Sequence, residues 1–229
     1  VPPSSVETFS IAFREKDHDE SAYARLVAER LGTNHHEKVL DEATMLERLP
    51  GLIAGMDEPF ADASLSPTSL VSEFARTKVT VALGGDGGDE LFAGYSTFHL
   101  DRLTAWYALL PRWLRRRIIE PTAALLGLLS GRPRWRRGGR YVGDAADAPE
   151  AWRVMMWSES VAKPALLRAV LAVPAGPETA PETVYRDTAE LYARAPRRSR
   201  LARAQYQYQH QYLPDDILAK VDRASMAHS

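Results

Sequence analysis

Two aspartates, Asp86 and Asp89, stand in a run of four glycines, Gly84, Gly85, Gly87 and Gly88. Carboxylates in such a loop are poorly suited to touch phosphate, but well suited to hold a magnesium ion that does. Glycines let the backbone take positive φ and bring amide N–H groups close to a ligand. The preceding run, residues 79–83, is apolar and rich in β-branched residues, and reads as a buried strand of a parallel sheet. After it, Glu90-Leu91-Phe92-Ala93 opens a helix. Ligands of open α/β sheets bind in loops leaving the carboxyl ends of strands. Residue chemistry therefore makes this a nucleotide–metal loop, with a plain Gly/Asp turn as the alternative. The spacing fits neither the calcium loop, nor Gly-x-x-x-x-Gly-Lys-Ser/Thr, nor Gly-x-Gly-x-x-Gly.

The elements that must position this loop follow from periodicity. Residues 7–13 alternate, with Phe9, Ile11 and Phe13 on one side, which predicts a strand. Asp19-Glu20-Ser21 starts a helix whose Tyr23, Leu26, Val27 and Leu31 share a face, and Gly32 ends it. A second strand near residues 35–40 follows, then helices over about 42–54 and 67–76. Strand, helix, strand, helix, strand with short connections means parallel crossovers and an α/β sheet. The adjacent His35 and His36 point to opposite faces of a strand, so a structural role is expected rather than a shared metal. Beyond residue 100 the pattern is helical: Leu103, Trp106, Tyr107 and Leu110 form one stripe, and residues 125–129, 152–157 and 164–171 suggest others. Trp and Met in these stretches read as core. Residues 130–150 and 172–183 read as loops.

Composition narrows the setting. The chain has 229 residues, 45% of them hydrophobic, which suits one or two globular domains. No stretch approaches the length of a membrane span and no secretory apolar segment opens it. Cysteine is absent, which excludes disulfides, thiolate catalysis and cysteine zinc sites within this chain and fits the cytoplasm. The net charge of −1 hides an asymmetry: residues 1–100 hold 8 Lys+Arg against 17 Asp+Glu, and residues 101–229 hold 21 against 13. Arginines cluster at Arg112, Arg115, Arg116 and Arg117, and again at Arg132, Arg134, Arg136, Arg137 and Arg140. No recognition motif accompanies them, so a solvated face or pairing with the acidic half is expected, not nucleic-acid contact.

Near the end, Leu201, Ala204, Tyr208 and Tyr212 lie at helical spacing. Pro214 with Asp215 and Asp216 then marks a helix start, with Lys220 and Arg223 on one face and Asp216 placed to pair with Lys220.

Three strings carry a resemblance. Gly-Asp-Gly-Gly-Asp-Glu-Leu-Phe-Ala-Gly-Tyr, residues 85–95, closely resembles a signature of the asparagine synthetase family in its ATP-dependent synthetase domain, which β-lactam synthetases and lasso-peptide cyclases share. Leu-Pro-Asp-Asp-Ile-Leu-x-Lys-Val-Asp-Arg-x-Ser-Met-Ala, residues 213–227, resembles a second hallmark, and Asp-Glu-Pro-Phe-Ala-Asp, residues 57–62, is similar to a segment of many bacterial members. The resemblance implies a parallel sheet of the adenine-nucleotide α-hydrolase-like, or ATP-pyrophosphatase, type with helices on both faces. That partial core would occupy residues 1–100, and a mainly helical part of the same synthetase domain residues 101–229. It implies ATP and Mg²⁺ as cofactors, and aspartate and glutamine-derived ammonia as substrates. The aspartate side chain would be activated as an acyl-adenylate with loss of pyrophosphate, and ammonia from an N-terminal glutaminase domain would displace AMP.

By the same resemblance, Ile11 lines the adenine pocket, and Gly84, Gly85 and Gly87 meet the nucleotide through their backbone. Asp89 holds Mg²⁺, and Asp86 stands where Glu is common and handles the adenylate and ammonia. Lys220, Asp222 and Arg223 approach from the last helix, with Lys220 or Arg223 suited by charge to phosphate contact. The family's Ser-Gly-Gly-x-Asp-Ser loop, its glutaminase and its Glu-x-Arg-x-Pro-Phe-Leu-Asp segment have no match here, so the chain reads as an internal piece of a longer protein, inactive alone. A β-lactam synthetase-like or cyclase-like ligase and a non-catalytic scaffold are the other readings. Oligomeric state stays open, a homodimer among the options.

Overall fold

A computed structural model describes residues 5–14, 19–58, 60, 62–129, 142–158, 176–177, 180–196 and 199–229. The chain packs as two units, Val1–Asp86 with Leu213–Ser229, and Gly87–Tyr212. These units divide the chain by packing, whereas the parts 1–100 and 101–229 divide it by element type.

In the first unit, strands β1 (Glu7–Phe13) and β2 (Asn34–Leu40) pair in parallel, from Glu7 opposite Asn34 to Phe13 opposite Leu40. Helix α1 (Ser21–Leu31) makes the crossover. Its start is set by Asp19, whose carboxylate accepts from the Ser21 N–H and hydroxyl, and its end by Gly32 at φ 69°. Only glycine takes that left-handed cap without strain. Helix α2 (Glu42–Ala54) is capped by the Asp41 carboxylate, which accepts from Thr44 N–H at 2.9 Å. Helix α3 (Leu65–Arg76) lays Phe74 edge-on against Phe9 of β1 and His36 of β2. As the alternation requires, the two histidines face different partners: His35 lies between the Thr8 and Ser10 hydroxyls, while His36 stacks on Phe9 and contacts the Glu7 carboxylate. The final helix, α13 (Ala219–Met226), packs on α3, where Ser69 Oγ meets His228 Nε2 at 2.8 Å.

Two expectations about the strands and helices around this sheet fail. Residues 79–83 are not a strand: they run as irregular chain with Val81 78% and Leu83 98% exposed. A parallel strand needs a neighbour to take its backbone donors, and among the described residues the sheet consists of β1 and β2 alone. The apolar stripe of α1 is also not core. Tyr23, Leu26, Val27 and Leu31 are exposed, and the buried residues are the small Ser21 and Ala28, which let the helix lie close to the sheet.

The second unit is helical among its described residues. It runs α4 (Gly88–Phe92), α5 (Ser96–Ala108), α6 (Arg112–Leu114), a π-type segment (Arg115–Ile119), α7 (Glu120–Leu129), α8 (142–147), α9 (Glu150–Ser158), α10 (Pro181–Val184), α11 (Arg186–Arg194) and α12 (Arg200–Gln207). Residues 142–147 and 181–183, expected as loop, are therefore helical. The suggested helix at 164–171 and the arginines 132–140 lie outside the described residues. Phe98, Val154, Met155, Ala204 and Tyr208 form one core cluster, and Ala145, Met156 and Tyr185 a second, against which Trp152 and Trp157 pack. Trp106, expected as core, is exposed. So is Leu103 on α5: that helix buries Phe98, Asp101 and Thr104 instead, because this face meets α9.

The basic cluster pairs, but not with the acidic half. Arg112, Arg115 and Arg116 converge on Asp147 at 2.7–3.0 Å, and Arg116 also reaches Asp144 and Glu120. Pro214, expected at a helix start, lies inside a π-type segment, Tyr208–Leu218, that continues α12. A widened turn leaves room for a ring and a missing N–H that a regular helix does not.

Candidate functional site

The glycine loop holds its shape through a few specific contacts. Gly87, at φ 90°, is the one glycine of the four with positive φ, and it precedes α4 directly. Gly84 and Gly85 are exposed and take ordinary φ, so the conformational freedom inferred for all four is used at one position. Asp86 is exposed and its carboxylate folds back over Gly84, where an added Cβ would lie 2.5 Å from Oδ2. Ile11 sits half-buried in the middle of β1 opposite Lys38.

On the far side of Gly87, Asp89 is exposed, and its carboxylate has no hydrogen bond or ion pair among the described residues. Its neighbour Glu90 is buried and accepts the Tyr95 hydroxyl at 2.7 Å. Burial and that carboxylate together push the Tyr95 phenol well above its ordinary range, so Tyr95 stays protonated and remains a donor. Gln209 donates to the Glu90 carbonyl at 3.3 Å and Gln205 to the Leu91 carbonyl at 2.7 Å, tying α4 to α12 and the segment after it. Tyr95 packs on Phe98, Tyr208 and Tyr212. Residue type and spacing alone assign no role to Glu90, Tyr95, Gln205 or Gln209. The one available signal was an acidic residue followed five positions later by a tyrosine.

In the first unit, Lys220 is turned inward. Its ammonium, on a side chain 7% exposed, donates to Asp62 Oδ2 and to Ser64 Oγ, each at 2.6 Å. Burial raises the Asp62 carboxyl, but Lys220 and the Ser64 N–H and hydroxyl outweigh it and hold the pKa below the ordinary value. Lys220 is thus committed to the 57–64 loop. Arg223, partly exposed, donates to the Asp57 carboxylate at 2.8 Å. Asp222 is exposed. Lys220, Arg223, Asp57 and Asp62 are therefore brought together, which joins two of the three family-like strings within one unit.

The donor set decides what metal chemistry is available. No group of three or more His, Asp or Glu among the described residues is arranged to hold a metal ion. One open carboxylate, Asp89, matches magnesium that arrives with phosphates and keeps its waters, not an ion caged by protein. No helix among the described residues is long and apolar enough to cross a membrane.

Comparison with known proteins agrees with the motifs. A family model described as asparagine synthase matches residues 2–229. Asparagine synthetase [glutamine-hydrolyzing] 1 of Bacillus subtilis (strain 168) is 29% identical over 231 residues, covering 98% of this chain and 34% of that protein. A Mycobacterium tuberculosis (strain ATCC 25618 / H37Rv) protein assigned as a glutamine-hydrolyzing asparagine synthetase is 31% identical over 228 residues, covering 97% of this chain and 32% of its own length. Amidase chyE of Penicillium rubens is 31% identical over 128 residues, 53% of this chain and 19% of that protein. The chain thus spans about a third of the length of the first two relatives. No solved structure matches.

Proposed function

Because this chain belongs to the asparagine synthase family, we propose that it is the ATP-using synthetase part of a larger cytoplasmic enzyme that converts aspartate to asparagine. The aspartate side-chain carboxylate attacks the α-phosphate of ATP, giving an acyl-adenylate and pyrophosphate. Ammonia, released from glutamine by a separate N-terminal domain, then displaces AMP. The fold of the ATP-pyrophosphatase type belongs to this reading, with β1 and β2 as two of its parallel strands.

The observation that carries it is Asp89, an exposed carboxylate free of internal partners within the family-like signature. When bound with ATP, magnesium would supply charge that neutralises the leaving pyrophosphate. Asp89 orients that ion, and Gly84, Gly85 and Gly87 present backbone N–H groups to the phosphates. Ile11 faces the adenine, and Asp222 contacts the nucleotide. Asp86 meets the adenylate and the entering ammonia. Arg223 exchanges from its largely exposed partner Asp57 onto phosphate, and the Lys220 ammonium, paired with Asp62, supports the 57–64 loop beside it.

In the full-length protein, Asp89→Asn is expected to cut aspartate-dependent pyrophosphate release from ATP by about a hundredfold or more, on the scale of losing one preorganised electrostatic contact. Release at the unaltered rate would reduce the loop to a turn and overturn the assignment.

A further inference from the structure

Gly94 stands five residues after Asp89 in the turn that ends α4. The two are joined through the backbone, where Gly94 N–H donates to the Asp89 carbonyl at 3.0 Å. They also meet through the side chain. A Cβ built on Gly94 would lie 1.9 Å from Asp89 Oδ1, 2.9 Å from Cγ and 3.3 Å from Cα, and its three nearest neighbours all belong to Asp89. The carboxylate therefore rests on the bare Cα of Gly94, in space that any other residue would fill.

Backbone conformation does not explain this glycine. Its φ is not in the left-handed region, unlike that of Ala93 just before it at 59°. It is exposed, so tight packing against the rest of its unit does not demand it either. What remains is the space for the carboxylate. Asp89 has a free choice of rotamer in solvent, and the missing side chain at 94 leaves open the one in which the carboxylate folds over the turn.

We propose that Gly94 is a positioning residue for Asp89: it reserves the orientation from which that carboxylate meets Mg²⁺ carried by ATP. The ligand in this statement rests on the reading given under Proposed function. Alanine at 94 swings the Asp89 carboxylate to another staggered rotamer and leaves the fold in place. Supporting groups around a metal ligand typically affect metal affinity by ten- to a hundredfold.

The test is a double-mutant cycle in the full-length protein, read by calorimetric binding of Mg²⁺·ATP and by pyrophosphate release. Gly94→Ala is expected to weaken Mg²⁺·ATP binding by about tenfold, with the rate at saturating Mg²⁺ kept within about a factor of three. Its thermal midpoint should stay close to that of the unaltered protein. Asp89→Ala should weaken binding at least as much, and adding Gly94→Ala to it should weaken binding no further. Independent, additive losses would overturn the proposal, as would wild-type affinity in Gly94→Ala beside a weakened Asp89→Ala. If Asp89→Ala itself binds Mg²⁺·ATP normally, the reading of the reaction fails, and this inference falls with it. Should Gly94→Ala not fold, recovery of folding in the double variant supports the contact, and no recovery overturns it.

Discussion

Both units bury charge, with opposite stoichiometry. In the first, one ammonium is shared between two acceptors, as Lys220 serves Asp62 and Ser64. In the second, one carboxylate is shared among three guanidiniums, as Asp147 serves Arg112, Arg115 and Arg116. The difference lies in what is left when the shared group goes. Without Lys220, Asp62 still accepts from the Ser64 N–H and hydroxyl. Without Asp147, the buried Arg115 keeps a carbonyl, Leu110 O, but no opposite charge among the contacts described here. Leaving a buried charge uncompensated is the costlier outcome.

Asp147→Asn should accordingly destabilise by about 3 kcal/mol in denaturant unfolding. Lys220→Met should destabilise by about 2 kcal/mol, on the scale of a buried acceptor losing one partner. The reverse ranking would mean that Ser64 holds little of the Asp62 charge.

Acid sharpens the same contrast. Burial raises the Asp147 carboxyl, but Arg116, Arg115 and Arg112 more than offset it and bring the pKa down to about 2. A carboxyl whose folded pKa lies below its unfolded value adds stability that is complete above the unfolded pKa and vanishes as pH falls through the folded one. Unfolding of the second unit should therefore steepen between about pH 4 and pH 2, and Asp147→Asn should flatten that limb. Asp62, also depressed, gives the first unit a limb of the same sign. An acid limb that survives Asp147→Asn unchanged would place the titrating group elsewhere.

The smallest effect concerns Ala93, held at φ 59° between α4 and Gly94. Left-handed backbone costs an L-residue about 1 kcal/mol, so Ala93→Gly should stabilise the protein by up to that amount in thermal unfolding. A loss of stability there would show that the Ala93 methyl, which packs against the Tyr208 cluster, matters more than the strain.

Local pattern was most legible where structure is local. Phe9, Ile11 and Phe13 spelled β1, Asp41 and Gly32 marked helix ends, and the glycine loop with Asp89 stood out by residue type. The failures at residues 79–83, α1 and α5 share one physical cause, dependence on a partner distant in sequence. Residues 79–83 have the composition of a strand, but pairing belongs to two segments and composition to one. The stripes of α1 and α5 identify an apolar face without supplying a surface to cover it, and Asp101 and Thr104 were buried because α9 lies against them. Helix spacing could not announce the Lys220 acceptors Asp62 and Ser64, which are 158 and 156 positions away. The contact between Asp89 and Gly94 was hidden for a different reason: glycine announces nothing about which side chain needs its emptiness.

One feature of the first unit bears on how the protein behaves in the test tube. Residues 79–83 form an uncharged, β-branched pentapeptide that faces water with Val81 and Leu83 bare. Such segments pair edge to edge between molecules and seed cross-β assembly. A net charge of −1 adds little colloidal repulsion against that encounter. Replacing Val81 with lysine is therefore expected to slow aggregation of this chain at high concentration, read by light scattering, because a charge inside an apolar β-prone segment acts as a gatekeeper.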